Sequence, residues 1–310
     1  MKKQGKIAII GVGYVGASIC YALMLKTLAR EIVLIDSNPQ KAKGEAMDIA
    51  HGIPYMGNSK VYTGNYADCC DCDMIIITAG RNRKPGQERT DLVDENTTIL
   101  HQISLDIKKY YNGGVILVVS NPVDIMTYKV AQWMGLPNGM VFGTGCILDT
   151  SRLIRQLAEY VEISIDNIQA TVIGEHGVRQ CPIWSRVTVA NIPIDEYCKI
   201  SGIEWGELVR QKILMNIQTM GAEIIKRKER THYGISICVA YLVDAVMNDR
   251  KIVASVSSVL QGEYGIYDVS LSVPSVIGKN GIEKHLTEKW EQNDIDFLIN
   301  CSEQMKTFMK

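Results

Sequence analysis

Three glycines in Gly11-Val12-Gly13-Tyr14-Val15-Gly16 come directly after the apolar run Ile7 to Ile10 and directly before a helical pattern through Ala17, Ile19 and Leu23. A strand, a tight turn and a helix in that order leave little freedom: the helix crosses over the strand it follows, and the next strand returns parallel to the first. Four further aliphatic runs, Ile32 to Ile35, Met74 to Thr78, Val115 to Val119 and Met140 to Phe142, alternate with amphipathic stretches. They are apolar without alternation, so they read as strands buried on both faces of a parallel sheet with covering helices. The fold class is therefore α/β, a doubly wound parallel Rossmann sheet over residues 1–144, followed by a looser α+β domain over residues 145–310. In that second part the pattern predicts a long helix from Leu148, a strand near Ala170 to Ile173 and a helical region from Trp205 to Lys228. Strands near Ile252 to Leu260 and Val269 to Val276 complete it.

The glycine spacing has a chemical reading as well. Gly11 permits the tight turn, Gly13 lets a pyrophosphate approach the backbone, and Gly16 lets helix and strand pack closely, with the helix N-terminus facing the phosphates. Asp36 ends the second strand 20 residues after Gly16, where a carboxylate can accept hydrogen bonds from the adenosine ribose hydroxyls. That charge repels a 2′-phosphate, so the expected cofactor is NAD rather than NADP. A glycine turn that joins strand to helix with no ligand is the plainer alternative.

Composition removes other classes. A formal net charge of −1 gives no positive field for nucleic acid or an anionic membrane surface. The basic start Met1-Lys2-Lys3 and the apolar stretch behind it resemble a secretory signal, but Gly11, Gly13 and Gly16 interrupt the stretch and no small-residue cleavage site follows. No segment offers the roughly 18 apolar residues that span a bilayer, and a cytoplasmic protein is expected. The nine cysteines are odd in number and scattered, so they read as reduced thiols. Cys69, Cys70 and Cys72 cluster, but a zinc site needs a second ligand pair, and no metal is expected.

Reduction of a 2-oxo acid needs a cation for the carboxylate, a proton donor for the carbonyl oxygen and a group that keeps that donor protonated. Gly174-Glu175-His176-Gly177 follows a strand, and a histidine there beside a buried carboxylate would have its pKa raised. Asp149 and Arg152 are three apart on one helix and so share a face. The same spacing fits an ordinary intrahelical ion pair, worth about 0.3 to 0.5 kcal/mol. A guanidinium aimed into a cleft instead gives bidentate carboxylate recognition.

With these residues the chain resembles the lactate/malate dehydrogenase family over nearly its whole length. The likeness is carried by Gly11 to Gly16, Thr78-Ala79-Gly80, Arg83-Lys84-Pro85-Gly86 with Arg89, Ser120-Asn121-Pro122-Val123-Asp124, Gly143 to Arg152, Gly174 to Gly177 and Thr231-His232-Tyr233-Gly234. The resemblance implies that His176 exchanges the proton, that Asp149 orients it and that Arg152 pairs with the substrate carboxylate. It implies that Arg89 polarises the carbonyl and that Asn121 contacts both carbonyl and nicotinamide ribose, with Thr231 as the wall opposite Arg83. Val15, Lys41, Tyr66, Gly80 and Val119 are implied as cofactor neighbours. Residues Arg81 to Asp91 are implied to form a lid that brings Arg83 and Arg89 onto the substrate. A dimer or tetramer of identical subunits and L stereochemistry are implied too.

Two readings of the substrate stay open. Gly174 to Gly177 followed by Cys181-Pro182-Ile183-Trp184-Ser185, with Thr231 to Gly234 and Asp91-Leu92-Val93, resembles the lactate branch. Arg83, however, stands where lactate enzymes typically carry a neutral glutamine and malate enzymes an arginine, which would welcome the second carboxylate of oxaloacetate. The expectation is lactate-branch membership with a broadened or shifted substrate range.

Val178 replaces the aspartate that often follows the Gly-Glu-His-Gly run. Ile154 and Gln169 stand where bisphosphate-activated enzymes usually carry a basic pair, so fructose 1,6-bisphosphate activation is not expected. Among other classes, NAD-dependent glycosidases are longer and need a metal. A short-chain dehydrogenase needs Tyr-x-x-x-Lys, and Tyr197, Tyr241 and Tyr264 lack the lysine. A non-catalytic NAD-binding protein would have no use for His176, Asp149, Arg152 and Arg89 together.

Overall fold

The computed structural model describes residues 5–57, 59–81 and 89–309, apart from the side chains of residues 89–91. The cofactor half runs β1 (Lys6–Ile10), α1 (Tyr14–Leu25), β2 (Glu31–Ile35), α2 (Pro39–Ala50), β3 (Lys60–Thr63), β4 (Met74–Ile77), α3 (Arg89–Lys108), β5 (Val115–Val118), α4 (Val123–Met134) and β6 (Val141–Gly143). Its strands lie in the order β3-β2-β1-β4-β5-β6, all parallel. This is the doubly wound order, with the reversal at β1 that opens a crevice at the strands' carboxyl ends.

The unbroken apolar runs are explained by burial on both faces. Ile7, Ile9, Ile32, Leu34, Met74 and Ile76 pack into one layer, while Ala8, Ile10, Val33, Ile35, Ile75 and Ile77 pack into the other. Each of these larger side chains contributes about 1.5 to 3 kcal/mol of burial.

The second half continues with α5 (Ile147–Val161), β7 (Ile168–Gln169), β8 (Val172–Gly174), β9 (Gln180–Pro182), β10 (Thr188–Val189), β11 (Ile192–Pro193), α6 (Ile194–Ser201), α7 (Glu207–Lys228), α8 (Tyr233–Met247), β12 (Ile252–Gln261), β13 (Tyr267–Gly278), β14 (Gly281–His285) and α9 (Gln292–Met309). The expected strand near Ala170 is two short strands, β7 and β8, in different sheets. The large sheet does not stop at β6. Antiparallel β12 pairs with it through Ser257 and Gly143, and the sheet passes on to β13, β8 and β9. Hence the hairpin β8-β9 is carried by the same sheet as the glycine turn.

Candidate active site

Most residues expected to meet the cofactor lie at or just past the carboxyl ends of the parallel strands. Gly11, after β1, has φ +95°, and a Cβ there would lie 2.5 Å from the Ala79 nitrogen. A Cβ on Gly16 would lie 2.0 Å from the Gly11 carbonyl oxygen, whereas one on Gly13 would meet nothing within 4 Å. Two of the glycines thus serve the chain's own packing, and the third leaves open space before α1, whose N-terminus has no side-chain cap. A pyrophosphate fits such a helix end.

Asp36 follows β2, and its two oxygens accept from the Val12 N–H at 2.6 Å and the Asn38 N–H at 2.8 Å. Oδ2 keeps a second lone pair for a ribose hydroxyl, and Oδ1 could take another in place of its long contact from Ser37 Oγ at 3.5 Å. Val15 is half-buried in the first turn of α1, Lys41 is exposed on α2, and Val119 is buried just past β5. Gly80 lies beyond β4 with φ +153°. Tyr66 is half-buried, and burial pushes its hydroxyl pKa up to about 12. We expect Gly16→Ala to cost about 1 to 3 kcal/mol through the backbone clash. A thermal melt should read this as a Tm several degrees lower, together with weaker NADH binding; an unchanged Tm would mean the turn can move aside.

The residues expected to handle the proton converge from α5 and the β8-β9 hairpin. α5 is amphipathic, and Asp149 sits on its buried face in register with Leu153, Leu157 and Val161. A fully buried carboxylate in a row of aliphatics is costly without partners. Here its Oδ2 lies 2.5 Å from His176 Nδ1, and its Oδ1 accepts from Arg152 at 3.0 Å. Burial alone would raise the Asp149 pKa, but His176 and Arg152 hold it below the usual carboxylate value. Burial likewise pulls the His176 pKa down, and the Asp149 carboxylate outweighs it, so the imidazole stays protonated to higher pH than usual.

His176 rides on the β8-β9 hairpin. Glu175 N–H donates to the Arg179 carbonyl at 2.9 Å, closing the loop, and the Glu175 carboxylate, itself buried, accepts from Arg179 at 2.7 Å. Gln304 of α9 accepts from Arg179 Nε at 2.6 Å, and Cys301 Sγ lies 3.6 Å from the Arg179 carbonyl. Val178, the departure beside His176, is 67% exposed and leaves the Asp149 contact intact. Its carbonyl accepts from Gln218 of α7 at 3.1 Å.

Arg152 is 13% exposed and lines a cavity of about 200 Å³ with Leu148, Met220, Ile224, Thr231 and Ile235. Thr231 is thereby brought to Arg152. Asn121 is exposed just after β5. Arg83 lies outside the described residues, as does the side chain of Arg89, the first residue of α3. Asn96 of α3 joins two site segments that sequence reasoning left unconnected. It is 1% exposed, its Oδ1 accepts from the Arg81 N–H at 2.7 Å, and its Nδ2 donates to the Asn121 carbonyl at 2.7 Å. Among the described residues no cluster of three histidine, cysteine or acidic side chains could hold a metal, and no helix is long and apolar enough to cross a membrane.

Known proteins share this fold. The L-lactate dehydrogenase of Acetivibrio thermocellus is 40% identical over 98% of this chain and 96% of its own, and that of Priestia megaterium is 40% identical over the same shares. The ligand-bound crystal structure of the minor L-lactate dehydrogenase from Enterococcus mundtii superimposes with a TM-score of 0.95 at 36% identity, covering 99% of this chain and 98% of that one. Residues 5–143 match the NAD binding domain of lactate/malate dehydrogenases and residues 146–310 match their alpha/beta C-terminal domain. A glycine turn built for NAD, and a histidine and an arginine sharing one buried aspartate, thus belong to a member of the lactate/malate dehydrogenase family.

Proposed function

We propose that this NAD-dependent dehydrogenase interconverts pyruvate and L-lactate, with His176 as the proton donor and acceptor. The observation that carries the reading is Asp149, one buried carboxylate whose oxygens are divided between the imidazole at 2.5 Å and the guanidinium at 3.0 Å. Asp149 fixes Nδ1–H and leaves Nε2 to face the substrate oxygen, and its charge favours the imidazolium. Arg152, with one edge on Asp149, has donors left for the substrate carboxylate. Arg89 polarises the carbonyl, and Asn121 contacts both carbonyl and nicotinamide ribose. Gly11, Gly13, Val15, Gly16, Asp36, Lys41, Tyr66, Gly80 and Val119 hold the dinucleotide; when bound, NADH supplies the hydride. Loss of NADH absorbance with pyruvate, oxaloacetate and longer 2-oxo acids compared side by side tests the reading, and absence of turnover on all of them sinks it.

Arg83 supports a second reading, in which oxaloacetate is accepted through its extra carboxylate. Closed over the methyl of pyruvate, this guanidinium would lack a partner, a cost of several kcal/mol unless it stays solvated. Arg83→Gln is expected to lower the oxaloacetate-to-pyruvate ratio of kcat/KM by tenfold or more, about 1.4 kcal/mol. An unchanged ratio means that Arg83 does not read the substituent.

We further assign the protein to the cytoplasm, in keeping with cysteines that are all unbonded. A division into a cofactor domain to residue 144 and a substrate domain from residue 145 fits the change of pattern there. A homo-oligomer is supported by a cleft of about 1150 Å³ lined by Ile165, Ile237, Tyr241 and Val253, each an exposed apolar side chain.

A further inference from the structure

We propose that Asp124 is a positioning residue for the proton donor, holding the His176 main chain from the cofactor side while Asp149 holds the ring from α5. This rests on the reading of His176 as the donor. Asp124 lies in the first turn of α4 and is 1% exposed. Its Oδ2 accepts from the His176 N–H at 2.8 Å. Its Oδ1 accepts from Ser257 Oγ at 2.6 Å, and Ser257 Oγ lies 2.8 Å from Ser270 Oγ. Both serines are fully buried, on β12 and β13. One carboxylate therefore pins the β8-β9 loop to α4 and to the sheet beneath it. Asn121 is three residues upstream in the same segment, so this stretch sets the distance between the group meant to face the nicotinamide and the group meant to hold the proton.

Structure alone does not require an acid at this position. An asparagine could accept from the His176 N–H through its carbonyl and donate to Ser257 through its amide. It would also avoid the cost of a buried charge, which pushes the Asp124 pKa up to about 7. What the carboxylate adds is a second negative charge near His176. Among the described residues, the charges that act most on His176 are Asp149 and Arg152 from α5 and Asp124 from α4, beside the Glu175–Arg179 ion pair on its own loop; Asp149 and Asp124 favour its protonated form and Arg152 opposes it. Asp124 in turn is faced by Glu175 and His176 on the loop, by the Cys146 thiol before α5 and by the Cys301 thiol of α9. Once Asp124 is ionised, above pH about 7, its charge extends the range over which His176 keeps its proton.

The test compares Asp124→Asn, Asp124→Ala and, as a control, His176→Asn. Their kcat and KM for pyruvate reduction are followed across pH, with melts and NADH fluorescence titrations alongside. Asp124→Asn is expected to melt like the wild type and to bind NADH equally. The alkaline fall of its kcat/KM should come at least about half a pH unit earlier. Asp124→Ala is expected to lose kcat about tenfold or more with little change in NADH affinity, and Asn should recover most of that loss below the alkaline fall. An Ala variant that keeps the wild-type kcat, or that loses kcat and NADH affinity together, overturns the positioning role, and an Asn profile superimposed on the wild type overturns the part played by the charge. Should Ala not fold, Asp124→Ser, whose shorter side chain cannot reach the His176 N–H, takes its place with the same outcomes. If His176→Asn keeps more than about a tenth of the wild-type kcat, the donor assignment itself has failed, whatever the Asp124 variants do.

Discussion

Asp149→Asn is expected to lower kcat/KM for pyruvate reduction by about 10²- to 10⁴-fold, the range that a positioned acid contributes. The variant keeps the volume of the side chain and removes its charge. His176 is then left with the burial that pulls its pKa down and without the largest influence that raises it. An asparagine amide donating to Nδ1 would also select the neutral tautomer with its proton on Nε2, a poor acid and no base at all. The pH profile carries the same sign. In the wild type, reduction needs the imidazolium, so kcat/KM should hold at low pH and fall as pH rises through a His176 pKa above the ordinary value of about 6.5. L-lactate oxidation needs the neutral ring and should rise through the same value. In Asp149→Asn the fall in reduction should move to lower pH. Steady-state rates in both directions check this, and a loss of less than tenfold would show that Asp149 is not what sustains the donor.

Arg152→Lys should act on substrate binding. A lysine keeps the charge but replaces the planar fork with a single point, so it cannot hold Asp149 and bind a carboxylate through two parallel bonds. Charge-assisted hydrogen bonds are worth about 1.5 to 3 kcal/mol. The expected result is therefore a roughly 10- to 150-fold loss in kcat/KM for pyruvate, carried mainly by KM, with NADH affinity unchanged. If NADH affinity falls in step with KM, Arg152 is supporting the fold between α5 and α8 rather than meeting the substrate.

Much of the frame could be read from the chain because its signals are local. The aliphatic runs became parallel strands since both faces of each are covered, as the split of Ile7 and Ile9 from Ala8 and Ile10 into opposite layers shows. β3 escaped notice because only Val61 of its four residues is buried, leaving no apolar run to detect. α8 was not singled out, and its buried set, from Ser236 through Cys238, Val239 and Ala240 to Val246, covers more than one side, which blurs a helical period.

The site divides in the same way. Asp149 and Arg152 announce themselves three apart, and Asp149 more so because it interrupts a buried row that is otherwise aliphatic. The partner of His176 lies 27 residues back and the main-chain anchor of His176 lies 52 back, distances at which spacing carries no signal. Asn96 is hidden for the same reason, since it reaches partners 15 and 25 residues away. Asp124 stood in a recognised motif with no role attached, and only its contacts supply one.

The clasp on Arg179 gives the last helix of the chain a share in events at the site. Gln304 and Cys301 touch the residue that closes the His176 loop, and Lys129 of α4 donates to the Met309 carbonyl at 3.2 Å. Fraying of α9 would thus loosen the histidine loop in the same event that uncovers Ile173, Leu271 and Val273 of the sheet, so this helix answers for turnover as well as for packing.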